Sequence, residues 1–84
     1  MAENIRHQTA GALARSPHPQ AKSLLLSMEE DPASAVRITV IQAAARMKRP
    51  ESLALLKRHT QDSDPAVRGE AARLLERREN GTAK

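Results

Sequence analysis

Asp31-Pro32-Ala33-Ser34-Ala35-Val36-Arg37 decides the fold, because it comes back. Thirty-one positions further on stands Asp62-Ser63-Asp64-Pro65-Ala66-Val67-Arg68. Each copy offers Asp, Pro, and then a β-branched residue followed by Arg, at the head of a run of helix formers. The same step taken backwards from Val36-Arg37 lands on Ile5-Arg6. A fixed period of this length marks a stacked-repeat protein, in which each unit is one supersecondary element.

The period extends beyond its opening, with no insertion or deletion. Pro19 falls on Pro50, Leu24 on Leu55, Leu25 on Leu56 and Asp31 on Asp62. Leu13 falls on Ala44 and Leu75, and Arg15 on Arg46 and Arg77. The chain 1–84 divides into repeat units of about 5–35, 36–66 and 67–84 within one domain, with 80–84 as a tail.

Five helices follow from apolar spacing and proline punctuation. The first, about 2–15, carries Ile5, Thr9 and Leu13 at helical spacing, flanked by Ala10 and Ala12. Ser16-Pro17-His18-Pro19 ends it, and Pro19 opens the next, where its missing N–H costs little. That helix runs to about 29 on Ala21, Leu24, Leu25 and Met28. The third, about 32–48, has Asp31 as its cap, Pro32 at its first position, and Val36, Val40, Ala43, Ala44 and Met47 on one face, which Ile38 and Ile41 widen. The fourth, about 50–61, presents Leu53, Leu55 and Leu56. The fifth starts at Asp64-Pro65, turns Val67, Ala71, Leu74 and Leu75 inward, and stops near Glu79 before Asn80-Gly81. Alternating helix pairs of this sort stack into a right-handed α-solenoid.

Composition agrees. Hydrophobic residues make up 39% of the 84 and charged residues 29%, the balance of a folded, soluble domain. With no Phe, Trp or Tyr, the core must be built of Ala, Leu, Val, Ile and Met. With no Cys, there is no disulfide framework and no thiolate chemistry. No apolar run approaches a membrane span, and the N-terminus lacks the apolar segment of a signal peptide. The expectation is a cytoplasmic protein. The net charge of +4 is uneven. Residues 1–35 hold Arg6, Arg15 and Lys22 against Glu3, Glu29, Glu30 and Asp31, and most of the basic residues follow. A basic C-terminal part is either an attractor of acidic partners or a solvated helical surface.

Asp-Pro-x-x-x-Val-Arg, an Ala-rich helix through Ala43-Ala44-Ala45, then Pro50-Glu51-Ser52-Leu53-Ala54-Leu55-Leu56, Asp62, and Val67-Arg68 through Ala71-Ala72 resembles the short HEAT-like repeats first described in phycobilisome lyases. The resemblance implies an all-α solenoid of about two and a half repeats. It also implies that Arg6, Asp31, Arg37, Asp62 and Arg68 form Asp and Arg ladders bracing successive repeats, Asp31 pairing near Arg37 or Arg68. It is specific for fold and weak for function. Residues 1–35 depart from the pattern: Ile5 replaces Val, Gly11 interrupts the helix, and no short helix precedes it.

Nothing in the chain is spaced for catalysis. His7, His18 and His59 lack metal-ligand spacing and read as surface or loop residues, and the His-Glu dipeptide of HEAT-like deoxyhypusine hydroxylases does not occur. No Gly-x-Ser-x-Gly turn or phosphate loop is present. The expectation is a non-enzyme without metal or cofactor. The remaining candidate is the concave surface of the long helices, with His7, Arg15, Ile38, Gln42, Arg46, Arg49, Arg73 and Arg77 directed away from the core. Arg15, Arg46 and Arg77, one per repeat near helix C-termini, either complement the helix dipole or form a basic strip. Ile38 is either a contact or a core residue. The first functional reading is a protein-interaction or assembly module with an acidic protein partner. The alternatives are nucleic-acid binding through the basic face, which the absence of aromatic stacking residues weakens, and an accessory subunit of a bilin-lyase-like or other enzyme. The expected state is a monomer, or a weak homo-oligomer through exposed end helices.

Overall fold

The computed structural model describes residues 2–47 and 49–82, the last three of these as backbone only. Five helices follow one another: α1 (Glu3–Arg15), α2 (Pro19–Leu26), α3 (Ser34–Arg46), α4 (Pro50–His59) and α5 (Pro65–Thr82). No strand occurs among the described residues. Two compact units divide the chain, Met1–Val40 and Ile41–Lys84, with the division inside α3.

Proline sets several of the joints by a steric rule. A residue before proline is pushed out of the helical region, and Ser16, His18 and Arg49 are all extended, with ψ of 137°, 132° and 149°. Ser16 therefore ends α1, its N–H donating to the Leu13 carbonyl. His18 and Arg49 become the N-caps of α2 and α4, with Pro19 and Pro50 in the first turn.

Four expected boundaries move. α2 stops at Leu26, and 27–30 continue as turns. α4 stops at His59, not Gln61. α3 starts at Ser34: the Ala33 carbonyl accepts the Val36 and Arg37 N–H groups, so Ala33 holds the cap position and Asp31-Pro32 precede it. α5 passes through Asn80-Gly81 to Thr82, because Gly81 does not take the left-handed conformation that would stop a helix. The expected end of α3 at Lys48, and the tail residues 83–84, lie outside the described residues.

In Met1–Val40, α1 packs on α2, and Ala10, Leu25, Val36 and Val40 are buried. In Ile41–Lys84, α4 packs on α5, with Leu55, Leu56, Val67 and Ala71 enclosed and Ile41, Ala43 and Ala44 buried on the second half of α3. A fully enclosed leucine such as Leu56 contributes about 2–3 kcal/mol. Three residues expected on the inner face are outside it. Ala12 is exposed, Ile5 is 48% exposed and Leu24 56%. Their counterparts one period on, Ala43, Val36 and Leu55, are 3%, 0% and 2% exposed. Period assigns a residue to a face, but exposure depends on what covers that face.

Candidate functional site

The recurring stretch folds into the same joint twice. In the first copy, Asp31 Oδ1 accepts the Ala33 N–H at 2.9 Å, and Arg37 Nη1 donates to the carbonyls of Asp31 and Pro32 at 2.8 and 3.1 Å. In the second, Asp62 Oδ1 accepts the Asp64 N–H at 2.9 Å, and Arg68 Nη1 donates to the carbonyls of Asp62 and Ser63 at 2.9 and 3.2 Å. Asp folds the chain back on itself, and Arg satisfies carbonyls that a turn leaves without partners.

Each carboxylate also has a side-chain partner. Asp31 is paired with Arg6 of α1 (Nε–Oδ2 2.8 Å, Nη2–Oδ1 3.2 Å), and the charge of Arg37 also acts on it. The Arg6 hydrogen bonds hold the Asp31 carboxyl below its ordinary range, against the opposing effect of desolvation. Asp62 meets His59 Nδ1 at 2.9 Å, with both side chains nearly enclosed at 6% and 8% exposure. A carboxylate only accepts, so Nδ1 carries the proton. His59 is thus a buried residue at the end of α4, not the surface or loop histidine that its spacing suggests.

Gln42, Arg46, Arg49, Arg73 and Arg77 lie in Ile41–Lys84, and His7, Arg15 and Ile38 in Met1–Val40. Glu70 of α5 draws the first set together. Its carboxylate accepts from Gln42 Nε2 at 2.9 Å, from Arg73 Nε at 3.0 Å and from Arg73 Nη2 at 2.7 Å. Those hydrogen bonds, Arg73's first, together with the charges of Arg73 and Arg77, hold the Glu70 carboxyl below its ordinary range. Arg73 is fixed in a side-on fork while half its side chain stays in water. Arg46 is one turn beyond Gln42, and Arg77 two turns beyond Glu70. Both are exposed, and neither forms an ion pair among the described residues.

The other members do not join this cluster. Arg49 is half-buried at the cap of α4, 3.7 Å from Glu51, and its carbonyl accepts a bond from Arg78 Nη2 at 3.1 Å. Arg15 lies back along α1, its Nη1 3.4 Å from where a Cβ on Gly11 would stand. His7 is exposed and Ile38 half-buried. Arg15 and Arg46 end their helices and complement the dipole there, but α5 continues five residues past Arg77, so that explanation does not reach Arg77.

The charge follows the same division. Residues 1–40 contain four basic and four acidic side chains, and residues 41–84 ten and six. The whole net charge of +4 therefore resides in Ile41–Lys84.

A family model for HEAT repeats matches residues 1–80. The chain belongs to the HEAT-repeat family. No curated protein and no solved structure matches it. HEAT repeats generally serve protein–protein interaction or scaffolding. In this HEAT-repeat chain, no group of three His, Asp or Glu among the described residues could hold a metal ion. No described helix is long and apolar enough to cross a membrane.

Two features of the repeats escape a reading by period. Glu70 has no counterpart one period back, where Thr39 stands; its signal is local, the i,i+3 spacing to Arg73. Ser52 is fully enclosed on α4, and its hydroxyl finds no hydrogen-bond partner among the described residues.

Proposed function

We propose that the protein is a non-catalytic interaction or assembly module that binds an acidic protein partner on the face of Ile41–Lys84 carrying Gln42, Arg46, Arg73 and Arg77. One observation carries this reading: the net charge resides in that unit, where Gln42 and Arg73 bond the Glu70 carboxylate, Arg77 acts on it through its charge, and Arg46 and Arg77 form no ion pair among the described residues. A pre-oriented Arg73 loses less rotamer freedom on binding than a mobile one. Opposite charge on the partner raises the encounter rate and fixes orientation. A cytoplasmic setting suits a chain without cysteine.

The test compares tagged wild-type chain with an Arg46→Glu/Arg77→Glu double variant, both recovered from the native cell after cross-linking. The expected result is a protein partner cross-linked near residues 42–77 by the wild type and lost in the double variant, with Arg15→Glu behaving as wild type. Cross-links confined to α1 and α2, or recovery unchanged by the double variant, would remove the reading.

A further inference from the structure

We infer that Glu70 makes the basic face of Ile41–Lys84 select carboxylate-bearing protein segments against nucleic acid. The inference rests on the proposed function, since it concerns the same face, and adds to it the class of anion accepted.

Three features converge on Glu70. First, its carboxylate stands among the cationic side chains and is ionised at neutral pH, held so by Arg73 and Gln42. A duplex brings closely spaced phosphates along its whole length and meets that negative charge wherever it lies across Arg46, Arg73 and Arg77. A peptide carries its carboxylates on separate, rotatable side chains that can reach Arg46 and Arg77 and leave Glu70 uncontacted. Specificity of this kind needs a repulsive element as well as attractive ones, and Glu70 supplies it.

Second, Glu70 occupies two of Arg73's donors, Nε and Nη2. What remains to a ligand is the outer edge of the guanidinium, held in one orientation. Third, the chain has no Phe, Trp or Tyr, so this face offers no large aromatic platform on which an unpaired base could stack and offset the repulsion.

The experiment measures fluorescence anisotropy of two labelled probes, a poly-glutamate peptide of about ten residues and a duplex DNA of about twenty base pairs, across about 50 to 200 mM salt. Proteins are the wild type, Glu70→Gln, and Arg46→Glu/Arg77→Glu, each checked for helical circular dichroism and an unchanged melting transition. The wild type is expected to bind the peptide more tightly than the duplex. Glu70→Gln should raise duplex affinity on the order of tenfold at low salt, with a steeper salt dependence by about one unit. Peptide affinity should change less than the duplex affinity does. The double-arginine variant should lose both.

A wild type that prefers the duplex, a Glu70→Gln variant with an unchanged peptide-to-duplex ratio, or absence of binding to either probe overturns the inference. If the native partner is recovered and lost in the double variant while the ratio stays fixed, the proposed function stands and only the role of Glu70 falls.

Discussion

Met28 and His59 occupy the same place in the two joints, the turn just before the recurring Asp. In the first joint the Asp31 N–H donates to the Met28 carbonyl at 3.1 Å, and in the second the Asp62 N–H donates to the His59 carbonyl at the same distance. The backbones are alike and the side chains are not. A methionine offers nothing to a carboxylate, and Asp31 is met by Arg6, 25 residues away. A histidine offers a ring N–H, and Asp62 is met from three residues away. What repeats is the satisfaction of backbone groups at the turn. The second joint has a local His59–Asp62 bond that the first, with Met28, cannot form.

The shared part is broken most severely at its anchor. Val36 and Val67 are both fully enclosed. Val36→Ala and Val67→Ala should each lower stability by about 2–3 kcal/mol, read as a drop in the urea midpoint. A large inequality between the two would show that the joints are not equivalent anchors.

Next in size is the carboxylate. Asp31→Ala removes two bonds from Arg6 and the one from the Ala33 N–H, at a cost of about 1–2 kcal/mol. The same group sets a pH dependence. Because the folded Asp31 carboxyl lies below its ordinary range, its contribution is complete above the unfolded value near 3.8 and is lost as pH falls through the lower folded value. Glu70 adds to this in the same direction from its ordinary value of 4.5. Chemical denaturation at successive pH values should show stability falling below about pH 4.5, with the slope reduced in Asp31→Asn. An unchanged slope would mean that the Arg6 pair contributes nothing to folding.

A smaller effect separates the two helix starts. Asp64 Oδ1 accepts the Ala66 N–H at 2.8 Å, whereas Ala33 at the matching position has no side chain to offer. Ala33→Asp should therefore stabilise, and Asp64→Ala destabilise, each by about 1 kcal/mol in thermal unfolding. The smallest concerns the position two residues beyond each valine, Ile38 in one joint and Gly69 in the other. A Cβ on Gly69 would meet nothing within 4 Å, so Gly69→Ala should stabilise α5 by about 0.5–1 kcal/mol. A loss of stability there would reveal a contact that open space does not suggest.

Helix order, the proline-set joints and most of the core could be read from the period, because each depends on residues within one turn of each other. The cap at Ala33 could not, since Asp31, two residues earlier, carries the better capping side chain. The burial of His59 depends on packing between α4 and its neighbours, which a count of metal-ligand spacings does not examine. Of the face, Gln42, Arg46, Arg73 and Arg77 were readable as outward positions. Glu70 was hidden because its bond to Gln42 crosses 28 residues and because Thr39 stands one period before it.

Three longer-range side-chain bonds have a common measure. Arg6–Asp31, Gln42–Glu70 and Arg78–Arg49 span 25, 28 and 29 residues, each less than one period. The bonds of Arg37 and Arg68 to the turn carbonyls reach back five and six residues. Contacts of such short reach favour rapid folding, since little loop entropy must be lost before each forms. They also make length a free variable. Inserting a further 31-residue period directly after Arg37 leaves the Arg6–Asp31, Gln42–Glu70 and Arg49–Arg78 separations unchanged, so by this measure the chain can grow there by a whole repeat.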